Sequence, residues 1–265
     1  MLEVKSPAKI NLYLKILSKL KNGYHEIESA FQLIDLSDTI KFYPSKNGID
    51  ISCNKNIKRE DNIIYKAANA LNVYTGKKNS IKVDLVKRIP SGAGLGGGSS
   101  NAAMTLLSLN NLWSLSLNKR ELLDIGKKLG ADVPFFVNGE NAFVKGIGEK
   151  IIKKKSIKKK IVVIYPNIYC STRDMYKDYD SSKEYSTEDP QNSFWMVVRK
   201  QFPEINRFYE QNIDDMNLCL SGSGSCMFIL YDNKEELEKI LKIIPSKWRF
   251  FLTKPLQYMP LAREL

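Results

Sequence analysis

Apolar and polar positions alternate strictly from Ala8 to Ile16. Ala8, Ile10, Leu12, Leu14 and Ile16 fall on one side of an extended chain, and Lys9, Asn11, Tyr13 and Lys15 fall on the other. A period of two predicts a half-buried strand, on which Lys9 and Asn11 stand about 7 Å apart and point the same way. Ile81, Val83 and Leu85 alternate with Lys82 and Asp84 in the same manner, and the apolar run from Ile161 to Tyr165 predicts another strand. Residues 27–53 predict short strands, punctuated by Ser37-Asp38 and by Pro44-Ser45-Lys46-Asn47-Gly48. Elsewhere the period is helical. Ile64, Ala68 and Leu71 share a face behind Asp61-Asn62, with Asn62 placed as a cap. Leu122, Ile125 and Leu129 follow an Asn118/Glu121 capping box and stop at Gly130. Helices at 193–210 and 234–243 are expected to alternate with strands at 226–231 and 248–253. Residues 177–192, rich in Asp, Ser, Glu and Lys, are expected to be mobile.

The stretch Pro90-Ser91-Gly92-Ala93-Gly94-Leu95-Gly96-Gly97-Gly98-Ser99-Ser100-Asn101 breaks both periods. It holds five of the fifteen glycines and lies between the strand ending near Leu85 and a helix carrying Ala102, Ala103, Leu106, Leu107 and Leu109. Glycines let the backbone curl and allow close approach, while the first amides of a helix have no internal partners, so the stretch reads as an anion cradle. Three phosphate loops are excluded or weakened by particular residues. Gly98 stands where a Walker A loop requires Lys. Gly92 to Gly97 fits the dinucleotide fingerprint, but the acids about twenty residues on, Glu121 and Asp124, lie in a predicted helix. No protein-kinase lysine strand or His-Arg-Asp loop follows.

Composition narrows the classes further. The 265 residues suit one large domain or two modest ones, and we divide them as 1–157 and 158–265. A net charge of +12 admits a nucleic-acid partner or an acidic substrate, although Lys is spread over the whole chain as a solvated surface would be. The densest run, Lys153 to Lys160, lacks interleaved aromatics and reads as a solvated linker. Four cysteines without a CxxC pair and the single histidine, His25, leave a zinc site without ligands. The first residues carry charge and no apolar leader, so a cytoplasmic protein without membrane contact is expected.

Two further stretches carry candidate chemistry. Asn22-Gly23 is a turn that presents Tyr24 and His25 together. Asp132 sits in the apolar Gly130-Ala131-Asp132-Val133-Pro134-Phe135-Phe136, where it serves either as a helix cap or as a working carboxylate.

The glycine stretch resembles the ATP loop of the GHMP small-molecule kinases. Ser6-Pro7-Ala8-Lys9-Ile10-Asn11-Leu12 is similar to their N-terminal motif, and Leu220-Ser221-Gly222-Ser223-Gly224-Ser225 to their C-terminal glycine turn. The resemblance implies an α+β fold, with an N-terminal domain like the second domain of ribosomal protein S5 joined to a ferredoxin-like domain. It implies ATP bound by Asn62, Pro90, Gly92, Gly94, Leu95, Gly96, Gly97, Gly98, Ser99 and Ser100, with Mg²⁺ accompanying it, its protein ligands left open between Ser99 and Ser100. Asp132 matches the family's base motif, and Lys9 its partner. Asn22-Gly23-Tyr24-His25 marks the branch of the family that phosphorylates the 2-hydroxyl of 4-diphosphocytidyl-2-C-methyl-D-erythritol. Asn11, Tyr24, His25 and Tyr176 are then expected at that substrate, in a monomer or homodimer without nucleic acid. Asn167 departs from the family, which has Gly after Pro166, and an αL backbone is expected there. Another GHMP kinase acting on homoserine or a mevalonate derivative, and a basic RNA-binding protein with an S5-like fold, are the alternatives.

Overall fold

The computed structural model describes residues 1–182 and 191–260. Two strands, β1 (Leu2–Lys19) and β2 (His25–Pro44), form one long antiparallel hairpin. Against the other edge of β2 lie β5 (Ala142–Gly146), beside its first residues, and β4 (Ile81–Val86), beside its last. β3 (Ile49–Cys53) runs parallel to β4, and β6 (Lys150–Lys153) closes the sheet beyond β5. The helices α1 (Ile63–Thr75), α2 (Gly97–Leu112), α3 (Lys119–Leu129) and α4 (Val133–Asn138) cover this sheet and share one apolar core with it.

A second sheet holds β7 (Lys160–Tyr165), β8 (Cys219–Leu220), β9 (Met227–Tyr231) and β10 (Arg249–Thr253) in the order β10-β7-β9-β8, all antiparallel. The helices α5 (Thr172–Ser181), α6 (Trp195–Gln201) and α7 (Pro203–Asn212) lie between β7 and β8, and α8 (Lys234–Ile243) lies between β9 and β10. That order of strands and crossovers is the ferredoxin-like arrangement. After β10 the chain returns to the first sheet, where the Leu256 amide donates to the Leu33 carbonyl and Met259 is fully buried.

Three expectations need correction. Residues 27–53 are not a series of short strands. β2 runs unbroken through Ser37-Asp38, which pair with Pro7 and Ser6; the register shift opposite Pro7/Ala8 falls just before them, at Asp35-Leu36. The strand at Ala8–Ile16 is not half-buried with a single apolar face. A second shift between Asn11 and Tyr13 hands its side chains from one neighbour to another. Ala8 and Ile10 pack with Ile161 and Val163, whereas Leu14 and Ile16 pack with Val162 and Ile164, on the opposite side of β7. Lys9 and Asn11, on the other face, are buried as well, against Phe31, Ser29 and the glycine turns. The helix expected over 193–210 is two helices, since Pro203 cannot donate to the preceding turn and starts α7 instead.

Two local expectations hold as read. Asn118 and Glu121 form the capping box of α3, and Asn167 takes φ 62°. Of the stretch 177–192, residues 177–181 complete α5, and residues 183–190 lie outside the described residues. The Lys153–Lys160 run is only partly a linker. Lys153 ends β6, Lys160 begins β7, and the Ser156 and Ile157 amides donate to Gln257 and Gln32. Among the described residues no helix is long and apolar enough to cross a membrane.

Candidate active site

The phosphate loop leaves β4 and ends as the first turn of α2. Gly92, Gly94 and Gly96 have φ of 59°, 73° and 66°, a left-handed region that L side chains adopt at a cost. Gly96 caps α2 without a side chain, and the first intrahelical bond runs from the Ser100 amide to the Gly96 carbonyl. The amides of Gly97, Gly98 and Ser99 therefore precede the helix ladder and sit where an anion is favoured.

The loop is gripped from three sides. The Lys9 amide donates to the Leu95 carbonyl at 3.0 Å, the Cys226 amide to Ala93 at 3.2 Å and the Cys170 amide to Gly92 at 2.7 Å. Ser221 Oγ donates to the Gly94 carbonyl at 3.0 Å, so the second glycine turn, Ser221 to Ser225, is packed onto the first. A Cβ at Gly94 would stand 1.9 Å from the Ser221 carbonyl oxygen, which is backbone and cannot swing away. We expect Gly94→Ala to destabilise the chain by about 2–4 kcal/mol from backbone strain and overpacking. A thermal melt checks it, and an unchanged midpoint would mean that the two turns are not locked together.

Lys9 and Asp132 face each other across the loop. Lys9 is 3% exposed, its ammonium lies 4.5 Å over the Phe31 ring, and it donates to Asn11 Oδ1. Its Nζ is 3.5 Å from Asp132 Oδ2. Asn11 is fixed in turn by donating to Ser29 Oγ at 2.9 Å. Asp132 precedes α4 but its side chain makes no capping hydrogen bond, so the cap reading fails and the carboxylate, one third exposed, is left to the cleft.

One cleft of about 460 Å³ joins these groups. Lys9, Asn11, Asn62, Pro90, Gly92, Gly94, Leu95, Gly96, Gly97, Gly98, Ser99, Asp132 and Tyr176 all line it. Asn62 does double work, because its Oδ1 also accepts the Ile64 amide and caps α1. Ser100 does not line the cleft. Its hydroxyl is buried against Ser6 Oγ at 2.7 Å, which leaves Ser99 as the hydroxyl available to a ligand.

The aromatic end is built around His25 and Tyr176. Tyr24 is exposed on its turn, and the ring stacked on Tyr176 is that of His25, with centroids 4.7 Å apart. His25 Nε2 is 2.7 Å from Asp180 Oδ1, and Lys19 Nζ donates to Asp180 Oδ2 at 2.6 Å. Partial burial works to raise the Asp180 pKa, but the hydrogen bonds from Lys19 and His25 outweigh it and hold the carboxyl below its usual range. Burial, with a smaller contribution from the Asp132 charge, pushes the Tyr176 hydroxyl up. Phe194 meets Tyr176 edge-on and also lines the cleft. Sequence reasoning missed Phe194, Lys87 and Tyr169 as lining residues. Of these only Lys87 carried a signal, its place two residues before the loop's Ile89-Pro90.

Among the described residues no group of three or more His, Cys, Asp or Glu side chains could hold a metal. A magnesium ion carried by nucleotide phosphates needs fewer protein ligands, since it keeps several waters and leans on phosphate oxygens. Ser99 and Asp132 both line the cleft and offer the hard oxygen donors such an ion takes.

Residues 62–140 match the model of the GHMP kinases N terminal domain, and residues 177–249 that of the GHMP kinases C terminal domain. A 4-diphosphocytidyl-2-C-methyl-D-erythritol kinase of Marinomonas sp. (strain MWYL1) is 39% identical, over 94% of this chain and 85% of that protein. The protein of the same name in Ralstonia pickettii (strain 12J) is 36% identical, over 97% and 95%. A crystal structure of 4-(cytidine 5'-diphospho)-2C-methyl-D-erythritol kinase superposes with a TM-score of 0.80 at 28% identity, over 96% of this chain and 99% of that one. A mevalonate kinase structure superposes at 0.72 and 16% identity, a likeness of fold alone. With relatives this similar along nearly its full length, the chain belongs to the GHMP kinase family, in its 4-diphosphocytidyl-2-C-methyl-D-erythritol kinase group.

Proposed function

We propose that the chain transfers the γ-phosphoryl group of ATP to the 2-hydroxyl of 4-diphosphocytidyl-2-C-methyl-D-erythritol, giving ADP and the 2-phosphate, a step of non-mevalonate isoprenoid precursor synthesis in the cytoplasm. The observation that carries this reading is the Lys9–Asp132 pair, 3.5 Å apart and lining the same cleft as the Gly97–Ser99 amides. Phosphoryl transfer asks little covalent chemistry of a protein. It needs an acceptor for the hydroxyl proton, cations and amides for the spreading charge, and alignment. Asp132 accepts the proton from the attacking hydroxyl. Lys9 pairs with that carboxylate and faces the transferred group, while the amides at the start of α2 hold the phosphates and Asn62 lies at the adenine end.

Mg²⁺ bound with ATP would be held by phosphate oxygens together with Ser99, and would neutralise charge on the phosphates. The proposed division into domains stays at 157/158, with the tail beyond Thr253 returning to the first sheet.

The cytosine seats against Tyr176 at the aromatic end, with Tyr24 closing from the neighbouring turn, His25 reading the polar edge of the base and Asn11 facing the reacting end. Base stacking on an aromatic ring contributes about 1–3 kcal/mol. Tyr176→Ala is therefore expected to lower kcat/KM for the cytidyl substrate about 5- to 150-fold and leave the KM for ATP within about twofold. An equal loss for both substrates would place Tyr176 in the packing instead.

The proposal as a whole is tested by ADP release, coupled to an oxidation of NADH, with the cytidyl substrate, homoserine and mevalonate offered in turn. Turnover of homoserine or mevalonate in preference to the cytidyl substrate would overturn the substrate assignment.

A further inference from the structure

Asp38 has no exposed surface, yet the reaction above makes no use of it. Its carboxylate takes three donors from one short segment. Oδ2 accepts from Lys87 Nζ, and Oδ1 accepts the amides of Arg88 at 2.7 Å and Ile89 at 2.9 Å. That segment joins β4 to the phosphate loop. Its backbone is fixed from the other side by Asn54, which accepts the Lys87 amide at 2.8 Å and donates to the Lys87 carbonyl at 3.3 Å. Lys87 is thus held by its main chain and by its ammonium group. Its side chain is only 7% exposed, and it lines the cleft. A Cβ on Gly97, the first residue of α2, would lie 3.4 Å from Lys87 Nζ.

An ammonium group at the amino end of a helix is opposed by the helix dipole. A buried ion pair adds little net stability, because desolvation of both charges offsets their attraction. The Arg88 and Ile89 amides account for the buried carboxylate but not for an ammonium that lines the cleft at the start of α2, whereas an anion seated there takes a charge-assisted hydrogen bond from it. We propose that Lys87 binds a phosphate group of the nucleotide and that Asp38 is its positioning residue, holding both the ammonium and the entry to the loop. The inference rests on the reading of residues 90–100 as an ATP loop.

Calorimetric binding of ATP, ADP and adenosine to the full chain separates the possibilities. Lys87→Met should weaken ATP and ADP about tenfold, the size of one charged hydrogen bond, and leave adenosine unchanged. Asp38→Asn, which keeps an acceptor for the Arg88 and Ile89 amides, should weaken ATP in the same direction, and the double variant should be no worse than Lys87→Met. Equal weakening of adenosine and ATP would assign Lys87 to the nucleoside end and overturn the proposal, as would unchanged ATP affinity in Lys87→Met. If Asp38→Asn does not fold, the comparison of ATP with adenosine in Lys87→Met still decides. Wild-type chain that binds no ATP would overturn the loop reading and this proposal with it.

Discussion

Asp132→Asn should lower kcat by roughly 10²–10⁴-fold, the usual contribution of a positioned general base. The substitution is nearly isosteric, and two structural facts make its effect readable. The Asp132 side chain makes no capping hydrogen bond to α4, so little helix stability is at stake. Its ion pair with Lys9 is partly solvated on the Asp132 side, which limits what that pair contributes to folding. ATP binding should therefore persist, since the loop amides and Asn62 do not depend on this carboxylate. The decisive measurement is single-turnover phosphoryl transfer at saturating ATP in a variant whose melting midpoint is unchanged. Wild-type turnover there would remove Asp132 from the mechanism and leave proton transfer to solvent.

The parts of this site legible in the sequence are those in which one residue type is demanded by local geometry. Positive φ at Gly92, Gly94 and Gly96 makes glycine the residue of choice there, so the loop announces itself. The Asn22-Gly23 turn and the Asn118 capping box are local in the same sense. What the sequence hid depends on partners far along the chain. The register shift after Asn11 divides the apolar side chains of β1 between the two sides of β7, and nothing near residue 11 signals that. Ser37-Asp38 has the composition of a turn, yet Asp38 is spent on Lys87, Arg88 and Ile89, some fifty residues away. Ser99 and Ser100 are alike in sequence, and only the helix phase turns one to the cleft and the other to Ser6. The pairing of His25 with Asp180 and Tyr176 likewise needs α5 to be docked before it can be seen.

Lys9→Ala should cost about 10²–10³-fold in kcat, comparable to the loss of one preorganised charge or donor facing the transition state. Lys9 is buried to 3% exposure, so its ammonium acts where water screens it poorly, and Asn11 and the Phe31 ring hold it on one side of the cleft. The substitution leaves the loop anchored, because the contact between β1 and the loop runs through the Lys9 amide and the Leu95 carbonyl, which alanine keeps. The cavity left beside Gly96 and Phe136 is a second effect, and Lys9→Met separates it by retaining most of the stem while removing the charge. If both variants lose kcat with little change in the KM for ATP, the charge is used in the transition state. A rise in the KM for ATP with kcat preserved would make Lys9 a ground-state binding residue, and a loss in the alanine variant alone would make its role one of packing.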